Sequence, residues 1–264
     1  MYDFNYHRPK DIKQAVKILR DSDDGVPMSG GMTLIPTMKQ RLAAPSDVVD
    51  IAAAAGSGIK ASAGKVTIKA GTTHAAVASH AGIQKHCPSL AALAGMIGDP
   101  HVRNKGTIGG SIANNDPAAD YPAACLALAA KIVTNKRTID ADKFFKGLFE
   151  TALRENEIIT EVEFACPKRG AYSKFPNPAS RYAMVGVYVA DHGRKGIRVA
   201  VTGATDSAHR NKAMEKALTA DFAASALDGV KVKSDNMNDD IHGSSDYRAH
   251  LVTVMAKRAV AASG

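Results

Sequence analysis

The chain contains no tryptophan and only three cysteines, Cys87, Cys125 and Cys166. They lie far apart with no CxxC pair among them, which excludes a zinc or iron–sulfur site of ordinary ligand spacing. An odd set of dispersed thiols fits a reducing compartment, read here as the cytoplasm. No apolar run approaches the roughly 18 residues that would span a bilayer. The opening Met1-Tyr2-Asp3-Phe4-Asn5 lacks the basic-then-apolar order of a secretory signal. Aromatic residues make up 5% of the chain, and the basic residues are scattered without aromatic interleaving, which argues against nucleic-acid binding. Neither GxGxxG nor GxxxxGK[ST] occurs, so the Rossmann and Walker phosphate sites are excluded.

What remains is an ordinary globular composition. The 264 residues are 45% hydrophobic and 23% charged, with 34 Lys and Arg against 26 Asp and Glu, a net charge of +8. That length supports one large domain or two modest ones with a substantial core. The scattered positive surplus suits subunit surfaces and an anionic ligand better than a nucleic acid.

Along the chain, Asp11 opens a helix carrying Ile12, Ala15, Val16 and Leu19 on one face. Val26–Met28 reads as a strand running into Ser29-Gly30-Gly31-Met32-Thr33, with Thr33 as N-cap of a helix to Gln40. Strands are expected at 47–51, 65–69, 131–135 and 158–164. Residues 73–94 read as helix broken at Cys87-Pro88, and 98–120 as a long loop without periodicity. Asp120 is expected to cap a helix with Pro122 in its first turn. The prolines and glycine of 167–180 mark a boundary. Beyond it, 182–190 and 196–203 form a hairpin in which Tyr182 is a core residue. Helices then follow at 211–218, 222–227 and 245–261.

The sharpest signal is a pair of glycine doublets flanked by hydroxyl residues, Ser29-Gly30-Gly31-Met32-Thr33 and Thr107-Ile108-Gly109-Gly110-Ser111. Glycine admits close backbone approach and positive φ, so consecutive N–H groups can converge on an anion. Either doublet alone is most simply a tight turn; two of them suit a diphosphate held from both sides. Asp120 and Asn114, just beyond the second, offer polar groups for ribose or ribityl hydroxyls. The histidines His74, His80 and His86 recur every six residues, which is not one helical face, so no metal site is expected. His74, after Thr72-Thr73, is the histidine nearest the expected ligand.

The run from Ile97-Gly98-Asp99-Pro100-His101-Val102-Arg103-Asn104-Lys105-Gly106 through Ser111, followed by Asn115-Asp116-Pro117-Ala118-Ala119-Asp120, closely resembles the FAD-binding medium subunit of the molybdenum hydroxylases. This is the family of aerobic carbon monoxide dehydrogenase and xanthine dehydrogenase. Ser29–Leu34, Gly71-Thr72-Thr73-His74, Glu157-Ile158-Ile159 and Pro178–Ala183 extend the likeness over nearly the whole chain.

The resemblance implies an α+β architecture: a two-lobed FAD-binding domain of the vanillyl-alcohol-oxidase type over residues 1–170, then a smaller C-terminal sheet-and-helix domain over 171–264. It implies that Ser29, Gly30, Gly31, Met32, Thr33 and Leu34, with Thr107, Ile108, Gly109, Gly110 and Ser111, contact the FAD diphosphate. Asn114, Asp120 and Ile159 would contact the rest of the cofactor. Met32 stands where the family often has a polar residue, and Asn115 where a histidine is common before Asp-Pro, departures that bear on a cofactor hydrogen bond and on the flavin edge. The implied partners are a large molybdopterin subunit and a small [2Fe–2S] subunit, in a dimer of heterotrimers that passes electrons through FAD to quinone or NAD. No catalytic acid–base pair and no metal ligand is expected in this chain. Two rivals are a non-redox nucleotide-binding module and a stand-alone flavin oxidase of the same fold.

Overall fold

The computed structural model describes residues 1–264. The first lobe is a parallel three-stranded sheet. Its elements are β1 (Asn5–His7), α1 (Ile12–Asp21), β2 (Gly25–Met28), α2 (Leu34–Lys39), β3 (Asp47–Asp50) and α3 (Ala52–Ala55), with strand order β1-β3-β2. The Asp11 carboxylate caps α1 by accepting from the Gln14 N–H at 2.8 Å. Ala15 and Leu19 pack from α1 on Val49 and Ile51, and Ile158 from the second lobe completes this small core. The β2–α2–β3 crossover places the first glycine doublet beyond the carboxyl end of β2, where open α/β sheets bind ligands.

The second lobe holds an antiparallel sheet under a layer of short helices. In chain order its elements are β4 (Ile59–Ser62), β5 (Lys65–Lys69), α4 (His74–Ser79), α5 (Ala81–His86), α6 (Pro88–Gly95), α7 (Pro100–Lys105), α8 (Ile108–Asn114) and α9 (Tyr121–Ala127). β6 (Lys131–Thr134), β7 (Thr138–Asp140), β8 (Phe145–Gly147), β9 (Glu150–Thr151) and β10 (Ile159–Ala165) follow. The sheet order is β4-β5-β10-β6-β7, and β8 and β9 form a separate hairpin. Cys125 is fully buried in the core on α9, as its apolar neighbours suggest. All three cysteines are free, and no group of His, Cys, Asp and Glu is placed to hold a metal.

The C-terminal part is a four-stranded antiparallel sheet of β11 (Arg169–Pro176), β12 (Ala183–Asp191), β13 (Ile197–Thr202) and β14 (His209–Arg210), with α10 (Lys212–Ala220) and α11 (Ser245–Ala262). Both faces of this sheet are covered. Val185, Val187 and Val189 of β12 pack with Leu251, Val252 and Met255 of α11. The alternate residues Tyr188 and Ala190 join the core of the second lobe. Strand β12 therefore reads as an unbroken apolar run, as a strand buried on both faces does.

Several expectations change. Residues 98–120 are not an irregular loop but contain α7 and α8, of 6 and 7 residues. Helices under two turns leave no periodicity to detect, although Asp99 caps the first by accepting from Val102 N–H and Thr107 the second from Gly110 N–H. The 73–94 helix is three helices, with an additional break at His80, whose Nδ1 caps α5 at 3.3 Å from the Ile83 N. The proline-rich 167–180 segment is mostly strand β11; it lies at the sheet edge, where a terminal Pro176 costs no ladder bond. Residues 222–227 form only a 3₁₀ turn, Ala224–Leu227.

One buried ion pair fastens the end of β6 to the chain entering β10. The Glu157 carboxylate accepts from Arg137 Nε at 3.0 Å, Thr134 Oγ1 at 2.7 Å and the Arg154 N–H at 2.9 Å. Burial works to raise its pKa, but the bonds from Arg137, Thr134 and Arg154 outweigh it and hold the pKa at about 2. A depressed carboxylate pKa contributes stability above its unfolded value, near 4.3, and loses it as pH falls toward the folded value. Glu157→Gln is therefore expected to lower stability by about 2 kcal/mol at pH 7. Denaturant melts from pH 7 to pH 3 should show the gap to wild type closing below pH 4.5; a constant gap would refute this account.

Candidate functional site

The two glycine doublets, far apart in sequence, meet. Thr107 Oγ1 donates to Ser29 Oγ at 3.0 Å. Gly30 lies directly against the chain entering the second doublet: a Cβ there would stand 2.1 Å from the Lys105 carbonyl oxygen and 2.8 Å from Gly106 Cα. Only glycine fits that crossing. Gly31 has φ +70°, which turns the chain into α2 in the left-handed region that glycine adopts freely.

The doublets are not equivalent. In the first, the five consecutive N–H groups from Ser29 to Thr33 donate to no protein acceptor. Thr33 stands at the N-cap position of α2, but its side chain caps nothing, which corrects the capping expectation. The second doublet is the first turn of α8, and the amides from Ile108 to Ser111 are engaged. Ile108 N–H donates to Thr72 O at 3.0 Å and Gly109 N–H to Ala70 O at 2.9 Å. Gly110 N–H donates to Thr107 Oγ1 at 3.2 Å. A row of free amides is therefore a property of the first loop and not of the second, where both loops were expected to offer them.

Between the lobes lies a cavity of about 560 Å³. Ser29, Gly30, Gly31, Met32, Thr33 and Leu34 form one wall, and Thr107, Gly109, Gly110, Ser111 and Asn114 another. Asp120 and Ile159 also line it. Ile108 does not: its side chain is fully buried in the core of the second lobe, which removes it from the expected contact set. Asn115 is also absent from the lining. Fully buried and left-handed at the end of α8, it donates from Nδ2 to Gly147 O at 2.9 Å and Glu150 O at 2.8 Å. The expectation that it borders the ligand is thereby corrected: it is the post on which the β8–β9 hairpin hangs.

Asp120 is not a helix cap either, since its side chain makes no cap bond. Its carboxylate is drawn across to the C-terminal sheet instead. There it accepts from Tyr172 Oη at 2.5 Å and lies 3.0 Å from Lys174 Nζ, itself almost fully buried. Burial pushes the Asp120 pKa up, and the Lys174 ammonium and the Tyr172 hydroxyl oppose it. The ammonium also donates to Met96 O at 2.9 Å. This cluster holds one end of the cavity in place.

Two lining residues, Tyr182 and Asp116, escaped the sequence reading or were misplaced by it, whereas His74 lies where that reading put it. Tyr182 is not core: it is 43% exposed and lines the cavity just before β12. Its position after a polar Asn-Pro-Ala-Ser-Arg loop was the available signal. Asp116 lines the same side, and its pKa is raised by burial. His74, at the start of α4, is buried and also lines the cavity.

Comparison with known proteins gives a consistent result. Residues 2–166 match the family described as "FAD binding domain in molybdopterin dehydrogenase". The chain is 33% identical to the nicotine 6-hydroxylase medium subunit of Paenarthrobacter nicotinovorans, over 98% of this chain and 96% of that one. It is 33% identical to the carbon monoxide dehydrogenase medium chain of Hydrogenophaga pseudoflava, again over 98% and 96%. A solved carbon monoxide dehydrogenase from the same organism superposes with a TM-score of 0.89 at 34% identity, covering 98% of this chain and 96% of that one.

The Gly30 crossing yields a direct expectation. Gly30→Ala forces the Lys105 carbonyl and the first loop apart, so binding of a dinucleotide diphosphate should weaken by tenfold or more in calorimetric titration. Thr107→Val, which removes the α8 cap and the link to Ser29, should lower stability by about 1 kcal/mol. Unchanged affinity in Gly30→Ala would contradict the geometry.

Proposed function

Because the chain belongs to the FAD-binding family of the molybdopterin dehydrogenases, we propose that it is the electron-transferring FAD subunit of a heteromeric molybdenum hydroxylase. Its partners in this reading are a large molybdopterin subunit and a small [2Fe–2S] subunit, joined as a dimer of heterotrimers. Electrons would pass from the iron–sulfur clusters to this subunit's FAD and on to quinone or NAD. Residues 1–170 serve as the FAD-binding domain and 171–264 as the C-terminal domain. No helix is long and apolar enough to cross a membrane; the free, dispersed thiols support a cytoplasmic location in this reading.

The observation that carries this reading is the row of five unpartnered amides, Ser29 to Thr33, on a cavity shared by the two lobes. Such a row is the backbone chemistry that receives an anionic diphosphate. Thr107 fixes Ser29 in register, and the Ser111 hydroxyl adds a donor on the facing wall. Asn114 and Asp120 supply polar atoms for the sugar-alcohol chain, with Asp120 held by Lys174 and Tyr172. Ile159 and Tyr182 give apolar and aromatic surface for a ring system. Met32 lines the wall without a hydrogen-bonding side chain, so the amides of the first loop carry recognition there. FAD, when bound, supplies a redox centre able to collect electrons singly and release them in pairs. The protein's own part is to bind, orient and shield it; nothing in the cavity requires an acid–base pair of this chain.

The test is isolation of the native complex through this subunit, with flavin, molybdenum and iron measured together. Stoichiometric flavin in this chain, with molybdenum and iron in co-purifying subunits, is the expected result. A chain without flavin absorbance that fails to take up added FAD would overturn the proposal, and screening quinones against NAD would identify the acceptor.

A further inference from the structure

The family match that covers FAD binding ends at residue 166, yet one end of the cavity is held from beyond it. Lys174 lies on β11 of the C-terminal sheet and does not line the cavity. Its side chain is 4% exposed, as is that of Asp120, which it faces. The ammonium has three protons and finds three acceptor oxygens: Asp120 Oδ1 at 3.0 Å, Asp120 Oδ2 at 3.1 Å and Met96 O at 2.9 Å. Filling all three requires the charged form. Tyr172 Oη donates to Asp120 Oδ1 at 2.5 Å, the short distance of a hydroxyl on a carboxylate. Each carboxylate oxygen has two acceptor positions. Tyr172 and Lys174 fill those of Oδ1, whereas Oδ2 carries Lys174 alone. One acceptor position on Oδ2 therefore stays open, on a residue that lines the cavity.

We propose that Lys174 is a positioning residue of the cofactor site, which keeps Asp120 ionised so that its open Oδ2 position accepts from a hydroxyl of the bound dinucleotide. The site then extends into the C-terminal sheet, and a buried cation outside the cavity decides what the cavity presents. This rests on the FAD reading and adds to it a residue that does not touch the ligand. The acceptor is selective in its chemistry: an ionised carboxylate receives an O–H and repels a phosphate. Burial pushes the Asp120 pKa up, and Lys174 with Tyr172 opposes it. Without the ammonium, the carboxyl would keep its proton to higher pH, as buried unpaired carboxyls do. The other titratable groups around Asp120 are the hydroxyls of Tyr121 and Tyr182, kept neutral by burial, and Asp116, whose pKa burial also raises.

The test uses the full chain with FAD as the probe, its Kd read by flavin fluorescence from pH 5 to pH 9. Protonating Asp120 removes the acceptor, so wild-type affinity should hold across neutral pH and fall only in acid. Lys174→Met, of similar length and without charge, should move that fall upward by at least about one pH unit. Its Kd should exceed that of wild type about tenfold at neutral pH, the loss of one hydrogen bond. The gap should close in acid, where both carboxyls are protonated. A gap that stays constant with pH would mark a purely structural role and overturn the proposal. Adding Asp120→Asn to Lys174→Met should abolish the pH step; a step that survives belongs to another group and refutes the assignment. One readout depends on neither FAD nor the folding of a variant. Carboxyl ¹³C shifts of the FAD-free wild type should show Asp120 ionised at pH 7, and a protonated Asp120 would overturn the proposal. Failure of the wild type to take up FAD would overturn the cofactor reading, and this proposal's ligand with it, even where that carboxyl is ionised.

Discussion

Everything about the cavity depends on one steric fact: at Gly30 the backbone of the first lobe lies against the backbone of the second with no room for a side chain. The crossing at Lys105 and Gly106 sets how closely the parallel sheet and the helical layer of the second lobe approach. It brings Ser29 within hydrogen-bonding distance of Thr107. The amides on the far side of the crossing keep no protein partner and border the space between the lobes. Covalent connectivity alone would leave that space free to open, since strands β3 to β5 and helices α2 to α7 lie between residues 29 and 107. Shared packing closes it: Ile158 enters the small core of the first lobe, and Asp120 reaches Lys174 and Tyr172 in the C-terminal sheet.

Much of this architecture was visible in the amino-acid order. The strands at 131–134 and 159–165, the hairpin of β12 and β13, and the last helix fall close to where alternation and spacing put them. The failures share a cause. Helices α7 and α8 are too short to repeat an apolar stripe. Their caps, Asp99 and Thr107, were legible only as residues that also suit turns. Strand β11 was hidden by Pro167, Gly170 and Pro176, because proline punctuates a loop and a sheet edge alike until pairing is known. Local pattern reports local geometry, and edge or interior status is decided by a partner strand elsewhere in the chain.

The same division governs the site. The glycine doublets were legible because glycine is chosen for reasons that survive without a structure. Their different roles were not, because whether an amide is free depends on which carbonyl lies opposite it. The Gly109 N–H is engaged by Ala70, which no motif reports. Asp120 offered two sequence readings, cap or ligand contact, and the structure adds a third, an ion pair with a lysine in another sheet. Asn115 looked like a ligand-edge position because of its neighbours, yet its burial and left-handed backbone commit it to the β8–β9 hairpin. Tyr182 looked like core because it opened the expected strand; β12 begins one residue later, and that was enough to turn Tyr182 to the cavity.

The unpartnered polar groups around the cavity are of two kinds, and the difference bears on how a ligand site can coexist with a stable fold. The amides of Ser29, Gly30 and Gly31 are half-buried and those of Met32 and Thr33 belong to exposed residues. Water can serve them, so the free amides cost the fold little. His74 Nδ1 and Tyr121 Oη lie where water does not reach. Buried groups of this kind tolerate no waiting, because the full desolvation penalty applies whether or not a ligand is bound. The free amides of the first loop can thus stay open to the cavity at little expense to the fold, whereas the sealed His74 and Tyr121 atoms weigh on its stability whether or not the cavity is filled.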